Sequence, residues 1–105
     1  MQKLTVAGAL KTLGLGADNY AVLLKAADLD VAFYKPKGLD SQTPHVRDEL
    51  YVVAAGQGEF ACGGETETFG PGDAFFVPGG VDHRFLNFSD DFSTWVIFFG
   101  TVRAT

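Results

Sequence analysis

Apolar and polar positions along this chain alternate in short runs, with Gly- or Pro-rich punctuation between them. From Tyr20 the pattern is strand-like: YAVLLKA is followed by LDVAFYK, in which Leu29, Val31 and Phe33 share one face, and Pro36 stops the run. Further strands are predicted over 49–55, 59–62, 66–69, 74–77, 83–88 and 94–99. Gly56-Gln57-Gly58, Gly70-Pro71-Gly72-Asp73, Pro78-Gly79-Gly80 and Ser89-Asp90-Asp91 separate them, and Gly63-Gly64 is a strong signal for a tight hairpin. Only LTVAGALKTL (4–13) departs from this rhythm. Its apolar spacing is helical and Thr5 can cap it, although Gly8 weakens the helix and Gly14 and Gly16 end it. Many short strands at even spacing predict an all-β antiparallel sandwich or barrel.

Two runs break the alternation because every position is apolar: Phe75-Phe76-Val77 and Trp95-Val96-Ile97-Phe98-Phe99. A strand with one wet face should alternate, so these are expected to be covered on both sides. In a small domain the cover is either the N-terminal arm or a second copy of the chain, and a homodimer using part of this surface is expected.

The length, 105 residues, fits a single domain: an N-terminal arm or short helix over 1–19 and a β-barrel over 20–100. A net charge of -5 with no Lys/Arg cluster argues against nucleic acid, which demands a basic patch. Lone Cys62 has no internal disulfide partner, which suits a reducing compartment. No apolar run approaches the ~20 residues of a membrane span, and Lys11 interrupts the early apolar stretch, so neither a membrane segment nor a signal peptide is expected. The resulting expectation is a soluble, cytoplasmic protein. There is no GxGxxG, P-loop or CxxC motif, and no Ser-His-Asp arrangement in a plausible context.

What chemistry the chain does carry centres on its two histidines. His45 is followed four residues later by Glu49, at the head of a strand; His83 begins another strand within a Gly/Pro frame. Two imidazoles and one carboxylate are suitable donors for a borderline divalent ion, and the carboxylate offsets the charge of a buried dication. His45, Glu49 and His83 are therefore the candidate ligands of one metal ion: Fe, Mn, Ni or Zn.

The spacing has a wider pattern. His45, three residues, Glu49, six residues, Gly56 forms one block; Gly72, five residues, Pro78, one residue, Gly80, two residues, His83, three residues, Asn87 forms a second. Together these resemble the two motifs of the cupin superfamily, over roughly residues 30–100. The second motif matches at every defined position, and His45 falls where the first motif has its second histidine. Thr43 occupies the place of the family's first histidine, and the loop from Gly38 is one residue short of the pattern. The resemblance implies a double-stranded β-helix, or jelly roll, and a small-molecule ligand or substrate. With Thr43 in that place the donor set becomes two histidines and one carboxylate, which leaves coordination positions open.

Further residues carry weaker expectations. Thr43, Tyr51 and Phe85 are candidates to line the pocket, with aromatic core an equal reading for Tyr51 and the favoured one for Phe85. Arg47 is expected near the mouth, in an ion pair with Asp48 or Asp82. Asn87 is expected to stabilise a turn, Trp95 to be core or interface, and Cys62 to be structural. Any proton transfer would fall to Glu49, Tyr51 or metal-bound water. The expected function is a small metalloenzyme of oxygenase, isomerase or lyase type acting on an oxygen-bearing molecule. The alternative is a non-catalytic binder of a small molecule or sugar, with or without metal.

Overall fold

The computed structural model describes residues 1–14, 19–41 and 45–100. It contains helix α1 (Val6–Gly14) and eight strands: β1 (Tyr20–Ala26), β2 (Leu29–Tyr34), β3 (Asp48–Ala55), β4 (Gly58–Cys62), β5 (Glu65–Phe69), β6 (Ala74–Val77), β7 (His83–Leu86) and β8 (Ser93–Phe99). Helix α1 starts where Thr5 Oγ1 accepts the Gly8 amide at 3.0 Å, the cap expected from sequence. It continues one residue past the expected end, to Gly14.

All described strand pairs are antiparallel. One sheet has the order β1-β2-β8-β3-β6, and the other β5-β4-β7. The β4–β5 hairpin turns through Gly63 and Gly64, whose φ angles of 58° and 87° lie where only glycine sits without strain. Strand β7 ends at Leu86 rather than Phe88 because Asn87 takes φ 50°, a left-handed conformation that breaks the ladder. The Asn87 amide then donates to Glu59 Oε1 at 2.7 Å, in keeping with its expected turn role.

The core lies between the sheets. Tyr51, Val53 and Val96 from the larger sheet meet Phe60, Phe69 and Phe85 from the smaller. Their rings interlock mainly edge-on or tilted, with Tyr51–Phe85 centroids 4.9 Å apart and Phe60–Phe85 centroids 4.6 Å apart, an arrangement favoured by the ring quadrupoles. Phe85 is thus core, behind Tyr51, rather than a wall of a ligand pocket.

The two all-apolar runs behave differently from expectation within the single chain. In β6 and β8 every second residue still points inward (Phe75, Val77, Val96, Phe98), and the alternate ones face outward. Phe76 is 52% exposed, and Phe99 beside it is also exposed, with ring centroids 6.1 Å apart. The helix lies against β1, at the far edge of the same sheet, and leaves this β6–β8 patch open.

Candidate metal centre

Glu49 and His83 stand at the starts of β3 and β7, so both side chains enter the same end of the barrel. His45 precedes β3 and is held there by the turn before β7: the Gly80 amide donates to the His45 carbonyl at 2.5 Å, and the Gly79 amide to Asp48 Oδ1 at 2.9 Å. A Cβ on Gly79 would collide with the Val46 carbonyl. Glycine is therefore what lets the two segments lie in contact. A ligand atom from each of His45, Glu49 and His83 lies within 4.8 Å of the other two.

The electrostatics of this cluster call for a positive charge. Glu49 is 1% exposed, and neither of its oxygens receives a hydrogen bond from any described residue. A buried, unsatisfied carboxylate costs several kcal/mol or more unless a cation lies beside it. His83 Nδ1 is 2.8 Å from the Val81 carbonyl, an acceptor, so the proton belongs on Nδ1. Nε2 then aims its lone pair at Glu49 Oε1, 3.0 Å away. Two electron-rich atoms at that distance need a proton or a metal ion between them. Burial works against charging the His83 ring, but the Glu49 carboxylate and the Val81 carbonyl outweigh it and raise its pKa. The donor set therefore fits a divalent cation, and the Val81 carbonyl fixes the ring tautomer that would present Nε2 to it.

Other residues surround the cluster. Tyr51, fully buried, brings its hydroxyl to 3.1 Å from His83 Nε2. Phe98 packs edge-on against the His45 ring, with centroids 4.8 Å apart. A hollow of about 210 Å³ opens beside His45, lined by Asp30, Val46, Arg47 and Phe98. Arg47 is at the mouth as expected, but its partner is Asp30, at 3.1 Å, not Asp48 or Asp82. The guanidinium also donates to the backbone carbonyls of Asp28 and Gly100, tying the β1–β2 turn to the end of β8. Thr43 lies outside the described residues. Larger hollows lined by Gln57 and Ser89 sit at the opposite end of the strands, away from this chemistry.

Three contributors were missed from sequence. Asp30 sits at the inward parity of β2, with Ala32 and Tyr34, so the alternation that placed Leu29, Val31 and Phe33 together carried a signal for it. Tyr20, on β1, feels the site: burial and then the Glu49 and Asp30 carboxylates push its hydroxyl up to about 12. Asp40 is a buried acid in the loop after β2; it accepts the Tyr34 hydroxyl and the Phe85 amide, each at 2.8 Å. That clamp pins the chain at Asp40 onto β2 and β7, and no local pattern in the sequence announces it.

Comparison with known proteins agrees with this architecture. A Streptomyces coelicolor protein, itself uncharacterized, is 35% identical over 81 residues, covering 75% of this chain and 77% of its own length. Among solved structures, a Rhizobium leguminosarum protein of unknown function superposes with a TM-score of 0.70 at 22% identity, covering 96% of this chain and 98% of that one. KdgF from a Halomonas species gives 0.67 at 23% identity, over 76% of each chain. The Cupin domain family model matches residues 31–99, a span that runs from within β2 to the end of β8 and holds all three candidate ligands. The chain belongs to the cupin family, and its fold is the all-β jelly-roll barrel of that family.

Proposed function

We propose that this protein is a metal-dependent cupin in which His45, Glu49 and His83 hold one divalent ion of Fe, Mn, Ni or Zn. The observation that carries this reading is the Glu49 carboxylate: buried, without hydrogen-bond donors among the described residues, and 3.0 Å from the lone pair of an imidazole. Bound there, such an ion supplies Lewis acidity or, for a redox-active metal, a centre for oxygen chemistry. The surrounding residues divide the remaining work. The hollow beside His45 admits a small oxygen-bearing molecule, and Phe98 forms its apolar wall. Glu49 and Tyr51 are the groups placed to hold or move a proton at the buried end. Arg47 is engaged by Asp30 and two carbonyls, so it shapes the mouth instead of capturing an anion. Oxygenase, isomerase and lyase reactions all suit this arrangement.

A non-catalytic small-molecule or sugar binder is the second reading. It is favoured by Asp30, the other acid at the mouth, which Arg47 at 3.1 Å and Lys25 at 3.8 Å already engage, so that it is not poised as a base. We further place the chain in a reducing, cytoplasmic setting, on the strength of free Cys62. We read its apolar outer patch as the face of a homodimer.

Elemental analysis of untagged protein tests the metal directly. About one ion per chain is expected, and His83→Ala should abolish uptake while the fold persists. Less than about a tenth of an ion per chain, with none taken up on titration, would sink the proposal. Oxygen consumption and product formation over a metabolite panel then separate enzyme from binder.

A further inference from the structure

We infer that Tyr51 is a fourth donor to the same ion, its phenol oxygen standing in for the imidazole that this chain lacks at Thr43. The inference rests on the metal reading above and adds a ligand to it. Two donors bound about 2.1 Å from one ion, at angles of about 90–109°, lie roughly 3.0–3.4 Å from each other. His83 Nε2 and Glu49 Oε1 are 3.0 Å apart, and His83 Nε2 and Tyr51 Oη are 3.1 Å apart. Both separations fit adjacent corners of a single coordination shell.

Position on the strand supports this. Tyr51 lies two residues after Glu49 on β3, so the side chains project from the same inward face. The ring is fixed edge-on between Phe60, at 5.5 Å, and Phe85, at 4.9 Å, which leaves the hydroxyl little freedom to swing away. The hydroxyl lies 3.1 Å from His83 Nε2, the ring nitrogen left over once Nδ1 faces the Val81 carbonyl. A ferric ion held by His45, Glu49 and His83 would take up Tyr51 as its phenolate, with the phenol proton released to solvent on binding. Without Tyr51 the site has three protein ligands; with it, four.

The test uses full-length protein loaded with Fe(II) and then oxidised by ferricyanide, and in parallel with Zn(II) against a competing chelator. The ferric protein should show a visible phenolate-to-iron absorption and tyrosinate ring modes in resonance Raman. Tyr51→Phe, which keeps the ring packing, should lose both signals and bind Zn(II) about tenfold or more weakly. Tyr20→Phe should retain them. Iron bound without tyrosinate signals, signals lost in Tyr20→Phe instead, or an unchanged Tyr51→Phe would each overturn the assignment. The wild-type Raman spectrum decides even if Tyr51→Phe fails to fold. Wild-type protein that binds neither metal would bring down the three-ligand reading itself, and this inference with it.

Discussion

At the scale of single residues, the structure turns on a carboxylate and an imidazole that cannot both remain as they are without a cation. Without a metal the Glu49 carboxylate and the Val81 carbonyl favour a proton on His83, and they raise its pKa despite burial. The pH consequence follows from linkage. A group with a raised folded pKa contributes stability that is fully present below its unfolded value of about 6.5 and is lost as pH rises through the folded value. In urea titrations of metal-free protein, the advantage of wild type over His83→Gln should therefore shrink as pH is raised above about 6.5. An advantage that grows instead would mean that His83 is held neutral. A metal held by His83 would behave oppositely, because it would compete with that proton, so zinc should stabilise the protein more at the higher pH. The cluster of His45, Glu49 and His83 was legible in the sequence because histidine occurs only twice and Glu49 stands at a motif spacing from the first. Asp40 and the Asp30–Arg47 pair were not, since their partners come from elements distant along the chain.

At the scale of elements, the centre is a contact between two segments: His45–Asp48 before β3 and Gly79–Val81 before β7. Gly79 makes the contact possible. Gly79→Ala should push the Val46 carbonyl away, costing about 1–3 kcal/mol in denaturant unfolding, and should weaken metal binding about tenfold or more. Unchanged zinc affinity in a folded variant would show that His45 is placed by something else. The strands themselves were readable because alternation and Gly/Pro punctuation are local properties. Their ends were less so: β7 stops early because Asn87 adopts a left-handed φ, a conformation that the sequence permits without demanding.

At the scale of the whole molecule, the unbroken apolar runs of β6 and β8 mislead when only one chain is considered. In the single chain their outward residues remain partly open, with Phe76 and Phe99 side by side. The register continues the patch through Leu50 and Ile97, which pair directly across β3 and β8. Burying such a surface stabilises association by roughly 25 cal/mol per Å², before the cost of docking. Light scattering at micromolar concentration should give the mass of two chains for wild type and of one for Phe76→Glu; a wild-type monomer would remove the dimer. The stretch between β2 and β3 is fastened at two points, at Asp40 by Tyr34 and Phe85 and at His45 by Gly80. A histidine whose backbone is already fixed is ordered before any ion arrives, so an ion bound there would give up little of its affinity to ordering that ligand.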